Sequence, residues 1–292
     1  MPFFQHNAKK VRIQSSRKEA GSMRAGKLKI KRYKAYRRGR GWLIAILLLG
    51  ILGAAWHFYQ KGDLPLALPP APTLSPEETA PDQRTLILPG QSWYALQLGV
   101  FEQESSALSL AAGYQARGAA GFIDTREKFR VLAAAYESRA EAQAVQNQLQ
   151  SLHSVEAYVF EIHSPEITLH MTGQKAQLTA LSDIYDALHQ TALHLSQLSI
   201  SLDQQTAPET DIRSALQSRK DTLLSLEKRL DQFFGVSPHP AVQPLENMLA
   251  ELSQSLESAL SQQGKTRLGA GVKYCHLLCI VRLAEYAAML AA

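Results

Sequence analysis

One stretch of this chain, residues 41–60, constrains the fold more than any other feature. It contains no Asp, Glu, Lys or Arg, and its centre from Trp42 to Trp56 is apolar throughout. About 20 such residues in a helix cross the ~30 Å hydrocarbon layer of a bilayer. The sequence therefore predicts one transmembrane helix at residues 41–60, in preference to the core helix of a soluble protein.

Charge is distributed unevenly about this span. Residues 1–40 carry 14 Lys and Arg residues against the single acid Glu19, whereas the other 252 residues carry 17 basic and 25 acidic residues. Because basic flanks stay on the cytoplasmic side, we expect residues 1–40 in the cytoplasm and the bulk of the chain beyond the membrane. The basic segment is too long for an ordinary signal peptide, so we interpret the span as an uncleaved signal-anchor of the cell membrane, although Gly53-Ala54-Ala55 would permit cleavage.

The basic tail, residues 1–40, suits two kinds of anionic partner. Basic residues next to a span attract anionic lipid headgroups. Nucleic-acid binding is the alternative, but no nucleic-acid-binding motif accompanies these residues. We therefore expect a topology signal at the anionic membrane surface, and no nucleic acid among the partners.

Residues 61–91 are predicted to be a linker. They contain seven prolines between Pro65 and Pro89. Proline at this density favours an extended, polyproline-like chain over packed structure. Such a spacer would hold the following segment away from the bilayer.

Residues 92–163 alternate between strand and helix patterns. A 35-residue shift superposes one strand–helix unit on the next, and Ser138 with Glu141 has the spacing of a capping box. Strand patterns occur at residues 94–98, 122–123, 129–133 and 155–162. This order predicts an α+β fold of βαββαβ type, in which two helices cover one face of a four-stranded antiparallel sheet and the other face is open.

The same segment closely resembles the SPOR (sporulation-related repeat) domain. The resemblance rests on Tyr94-Ala-Leu-Gln-Leu-Gly-Val-Phe101, on Phe129-Arg-Val131 and on Tyr136-Glu-Ser-Arg-Ala-Glu-Ala142, which follow the order and spacing of the family. It implies an RNP-like fold that binds septal peptidoglycan, preferring glycan strands without stem peptides, in cell division or sporulation. Its owners are often single-pass membrane proteins with a Pro-rich spacer, and the organisation predicted above agrees with this.

The open face of the predicted sheet is the candidate site. Strand alternation places Gln97 there, together with Lys128 and Arg130 of the third strand, and a bulge at Gly99 would add Val100. An amide can both donate to and accept from sugar hydroxyls, and cations can bind lactyl carboxylates.

Aromatic rings of the fourth strand, Tyr158 or Phe160, would allow stacking on a sugar. The resemblance matches Gln97 and Arg130 to glycan-contacting positions of the family. It places Lys128 where the family often has an aromatic residue, and Val100 where a small hydroxyl residue is usual. The predicted glycan-binding residues are therefore Gln97, Arg130, Lys128, Val100 and Tyr158.

Residues 165–292 show almost no strand pattern and are predicted to be helical. Leucines recur every seven residues along the first of these helices, at Leu181, Leu188, Leu195 and Leu202. This helix ends at Thr206-Ala-Pro208, and three further helices are predicted at about residues 209–234, 245–262 and 268–290, the first of these three ended by Gly235 and Pro238. The pattern fits a helical bundle or a coiled coil that binds itself or partners in division or sporulation.

No catalytic, metal-binding or cofactor-binding constellation is recognisable in the sequence. Cys275 and Cys279 lie one helical turn apart without further ligands, so we expect buried thiols. A wall hydrolase would need catalytic residues that the chain does not offer. We predict a non-enzymatic envelope protein without a cofactor. The alternative is a membrane-anchored scaffold whose βαββαβ module binds protein instead of glycan.

Overall fold

The computed structural model describes residues 81–235 and 239–291. All of them belong to one compact unit, Thr73–Ala292. The predicted basic tail, the span at 41–60 and the linker up to residue 80 lie outside the described residues. In chain order the strands and helices are β1 (Asp82–Leu88), β2 (Gln91–Phe101), α1 (Glu104–Gln115), β3 (Phe122–Asp124), β4 (Phe129–Tyr136), α2 (Arg139–His153), β5 (Tyr158–Ser164), β6 (Ile167–Gly173), α3 (Lys175–Asp203), α4 (Glu209–Phe234), α5 (Gln243–Ser261) and α6 (Lys265–Ala291).

Four of the strands form the predicted antiparallel sheet. Their spatial order is β3-β4-β2-β5, and each neighbouring pair is antiparallel. Along the chain, β2, α1, β3, β4, α2 and β5 follow one another as strand, helix, strand, strand, helix, strand. The predicted α+β fold of βαββαβ type is confirmed.

Local signals position the two helices of this module. The Ser138 hydroxyl accepts a hydrogen bond from the backbone N–H of Glu141 at 3.2 Å, which satisfies one of the unpaired donors at the start of α2. After α1, Gly118 adopts a φ of +96°, a conformation that favours glycine. Both helices can therefore return across the same face of the sheet.

The face beneath α1 and α2 is apolar. Leu96 and Ala133 pack with Ala142 of α2, while Val131 packs with Ala107 of α1. The pairing of β2 with β4 shifts register between Gln97 and Gly99, as the predicted bulge requires, and Phe101 packs into this core. The bulge therefore places Phe101 on the face covered by the helices and Val100 on the opposite face, beside Arg130.

A second, two-stranded sheet lies next to the module. Strand β1 pairs with β6 in antiparallel register along its whole length, from Asp82 opposite Gly173 to Leu88 opposite Ile167. The sequence interpretation missed both strands, because it assigned residues 82–88 to the linker and 167–173 to the helical region. Pro81 and Pro89 fall just outside β1, so neither removes a ladder hydrogen bond, and buried Leu88 and Ile167 anchor the ribbon.

The C-terminal region is helical, as predicted. Consecutive helices from α3 to α6 contact one another, and α3 also contacts α6, which closes the group into a bundle. Leu188, Leu195 and Leu202 of the heptad series are buried in its core. This core also contains residues of the sheet, so residues 92–163 and 165–292, predicted as separate domains, share one hydrophobic core.

Among the described residues, α6 is the one helix whose length and apolar composition would allow it to cross a membrane. Within the structure it is instead the central helix of the bundle. It contacts α3, α5 and strands β3, β4 and β5, and 16 of its residues are buried. A wide apolar surface, interrupted by charged residues such as Arg267 and Arg282, is typical of such a position in a bundle.

Candidate functional site

Helix α6 covers half of the sheet face that lies opposite α1 and α2. The Trp93 ring of β2 packs edge-on against the His276 ring, with 4.8 Å between the ring centres. The Phe122 ring of β3 packs in the same way against Tyr274, with 5.3 Å between the ring centres. Ala95, Leu132, Ala135 and Ile162 are buried in the same core. The prediction of a wholly open face is therefore wrong for this half, because β2 carries apolar residues on both of its faces and both must be buried.

The other half of this face is uncovered, and it carries the predicted site residues. Gln97 lies opposite Tyr158 of β5, and Val100 lies opposite Arg130 of β4. Residues opposite each other in neighbouring strands point to the same face. Tyr158 is 61% exposed and Val100 is 40% exposed. Lys128 immediately precedes β4, so all five predicted residues lie at one end of the sheet.

Arg130 is held in place by three neighbours. Its guanidinium lies 3.8 Å from the centre of the Phe160 ring, and its Nη1 donates a hydrogen bond to Oε1 of Gln97 at 2.5 Å. Its Nη2 lies 3.8 Å from the Glu127 carboxylate, and the side chain is only 17% exposed. Stacking on a ring and binding an amide fix the plane of the guanidinium before any ligand arrives.

Gln97 is oriented by the same contact. Because its amide oxygen accepts from Arg130, its NH2 group is turned away from the guanidinium. That NH2 group can donate to a sugar hydroxyl or an acetamido oxygen. Gln97 and the neighbouring ring of Tyr158 therefore form a polar and an aromatic contact side by side.

The charges on this half of the face are balanced. Lys128 forms an ion pair with Glu102 at 2.5 Å, in which the two side chains are 53% and 78% exposed. Exposed ion pairs contribute little to stability, so a ligand carboxylate can replace Glu102 at small cost. With Glu127 beside Arg130, the face suits a largely neutral ligand with occasional carboxylates.

A further ion pair at the edge of the sheet was not predicted. Asp124 of β3 is 4% exposed and accepts two hydrogen bonds from the Arg126 side chain, at 2.9 and 2.7 Å. Burial by itself raises the pKa of Asp124, but the hydrogen bonds and charge of Arg126 lower it below its ordinary value. The spacing Asp124-Thr-Arg126 at the end of a short strand was the available signal in the sequence.

The two cysteines of α6 lie in the hydrophobic core. Cys275 and Cys279 are buried, and burial raises the pKa of both thiols to about 12. No group of three or more His, Cys, Asp and Glu side chains within the described ranges is arranged to hold a metal ion. The cysteines are therefore packed as small apolar residues, as predicted.

Fold and site together define a small βαββαβ binding module with an amide, a cation and an aromatic ring at one end of its sheet. Residues 90–161 match the family model of the SPOR domain, so this quarter of the chain is a SPOR domain, as the resemblance indicated. Neither a curated protein nor a solved structure matches the chain.

Proposed function

We propose that this protein is a non-enzymatic component of the cell envelope that binds denuded peptidoglycan glycan strands at the septum, in cell division or sporulation. The observation that carries the proposal is the constellation of Gln97, Arg130 and Tyr158 on the uncovered half of the sheet of a SPOR domain. Its amide, stacked guanidinium and exposed ring match the hydroxyl groups, acetamido groups and ring faces of a glycan.

Placement at the membrane belongs to the same proposal. A span at residues 41–60 would anchor the chain, the basic tail would lie on anionic lipid in the cytoplasm, and the Pro-rich segment would extend the SPOR domain towards the wall. The helical bundle would then recruit division or sporulation proteins or a second copy of the chain.

Co-sedimentation with isolated sacculi tests the glycan-binding function. We expect the full-length protein in detergent micelles to sediment with sacculi whose stem peptides an amidase has removed, and less with untreated sacculi. Tyr158→Ala removes an exposed ring, and Gln97→Ala with Arg130→Ala removes the polar contacts, so each should lower binding about tenfold or more. The full chain is used because half of the sheet face is packed against α6.

Matched variants remove a glutamine and an arginine from elements outside the site, and they show whether losing these residue types anywhere in the protein lowers binding. Gln148→Ala on α2 and Arg84→Ala on β1 change the same residue types on other elements and should bind as the wild type does. If the wild type sediments with neither preparation, the proposal is overturned in favour of a scaffold whose SPOR domain contacts proteins. Full binding by the site variants would overturn the assignment of these residues.

A further inference from the structure

A cleft runs along the outer side of edge strand β3, between the SPOR domain and the helical bundle. Its larger part, about 630 Å³, lies between α1, α5 and α6. Its smaller part, about 350 Å³, lies between β3, α5 and α6. Gln254, Ser255 and Tyr274 line both parts, so the two are continuous. Volumes of this size are typical of sites for small molecules and short segments of polymers.

The larger part has polar walls and a floor of small residues. Amides and hydroxyls of Gln115, Gln254, Gln262, Ser255, Ser258 and Tyr274 form the walls. On the floor, α5 and α6 approach so closely that a Cβ added at Gly271 would lie 2.8 Å from the Cβ of Ala259. A floor of small residues leaves room for a ligand, and the walls both donate and accept hydrogen bonds, as sugar hydroxyls and acetamido groups require.

Arg267 gives the larger part of the cleft its charge. It is the one charged residue on this lining, and among the described residues it takes part in no ion pair or hydrogen bond. The smaller part has an excess of acid, because one arginine, Arg282, is shared by Glu251 and Glu285, and Asp124 also lines it. The larger part therefore fits a polar chain that places a carboxylate at Arg267, and the smaller part fits uncharged hydroxyl and acetamido groups of the same chain.

The cleft adjoins the glycan-binding face. Asp124 lines its smaller part and lies directly opposite Arg130 in the pairing of β3 with β4. Strand β3 is the edge of the sheet, so no further strand separates the two surfaces. Towards Trp93, by contrast, α6 blocks the face. A polymer lying across Tyr158, Gln97 and Arg130 can therefore continue over β3 towards the cleft.

We propose that this cleft is a second glycan subsite, to which α1, α5 and α6 contribute, and that it binds the part of a denuded peptidoglycan strand that extends beyond the sheet. The inference rests on the proposed function and adds that the helical region binds the glycan directly. Affinity must then increase with the length of the strand, since only a long strand reaches both surfaces.

The test compares two ligands of the full chain in detergent. One is a tetrasaccharide of denuded peptidoglycan, and the other is a long denuded peptidoglycan strand. Gln254→Ala combined with Arg267→Ala removes two exposed side chains that line the larger part of the cleft. We expect this double variant to bind long strands about tenfold more weakly, as the loss of two polar contacts requires, and to bind the tetrasaccharide as the wild type does. Gln148→Ala with Arg84→Ala is the matched control and should change neither affinity.

The outcomes separate this subsite from the function itself. A wild type that binds neither ligand overturns the proposed function. Equal wild-type affinities for the tetrasaccharide and the long strands, or unchanged binding of long strands by the double variant, overturn the cleft subsite alone. Binding of an isolated stem peptide that the double variant loses, with glycan binding unaffected, would assign the cleft to peptide and overturn the glycan subsite.

Discussion

At the scale of single residues, His276 is the most unusual group in the core. Its ring is buried on α6 against Trp93, and its Nε2 has no hydrogen-bond partner within the described part of the chain. Burial lowers the pKa of His276 to about 3. The folded protein therefore holds this imidazole neutral, whereas the unfolded chain protonates it near its ordinary value.

Stability should depend on pH through His276. The depressed pKa means that stability is complete above about pH 6.5 and is lost as the pH falls towards about 3, by about 1.4 kcal/mol for each pH unit. His276→Phe keeps a ring against Trp93 and removes the titration. Urea unfolding between pH 4 and 7 should therefore show a flatter dependence for this variant than for the wild type.

An exposed, non-titrating residue provides the control for this measurement. Gln148 lies on the surface of α2, and Gln148→Ala removes no titratable group, so it should leave the pH dependence of stability unchanged. A wild-type slope in His276→Phe would contradict the assignment, since another group would then be taking up the proton.

At the scale of elements, the packing of α5 against α6 depends on one glycine. A Cβ at Gly271 would lie 2.8 Å from Ala259, whereas a Cβ at Gly269, two residues earlier in α6, would have no atom within 4 Å. The two glycines thus occupy the same helix in different environments.

Alanine at each position should change the free energy of unfolding in opposite directions. Gly269→Ala should stabilise the protein by about 0.5–1 kcal/mol, because alanine loses less backbone entropy in a helix. Gly271→Ala should destabilise it by about 1–3 kcal/mol, because α5 and α6 must separate. Denaturant unfolding measures both. A stabilising Gly271→Ala would show that the two helices do not approach closely there.

Local patterns were sufficient to predict most individual elements. Helix α4 occupies residues 209–234, where the sequence places it, because its apolar period and the flanking Pro208 and Gly235 are local features. The ribbon of β1 and β6 was missed because its partners are far apart in the sequence. Short strands of mixed polarity carry a weak signal, and pairing with a distant partner stabilises them.

At the scale of the whole molecule, the SPOR domain and the bundle form one body. The Lys273 side chain of α6 is 11% exposed and donates to the Gly118 carbonyl at 3.0 Å and to Asp203 of α3 at 2.7 Å. A nearly buried ammonium with two acceptors ties the loop after α1 to two helices. The orientation of the uncovered half of the sheet face, with Gln97 and Arg130, is therefore coupled to the bundle.

The proposed topology can be tested by thiol labelling. Both native cysteines are buried with a raised pKa, so the wild type should not react with a membrane-impermeant maleimide. In spheroplasts, Ser151→Cys on the surface of α2 should be labelled from outside, and Ser15→Cys in the basic tail only after permeabilisation. Labelling of Ser15→Cys from outside would reverse the orientation that the charge pattern predicts.

Local sequence patterns specify the order of strands and helices in the SPOR domain, the bulge near Gly99 and the shared face of Gln97, Arg130 and Tyr158. These follow from alternation, capping and spacing within short stretches of chain. The tertiary structure alone decided that α6 covers half of the face and that a cleft adjoins the rest. An apolar surface on β2 shows that something must cover it, but hydrophobic burial is non-directional, so the pattern does not specify a helix some 180 residues away as its partner.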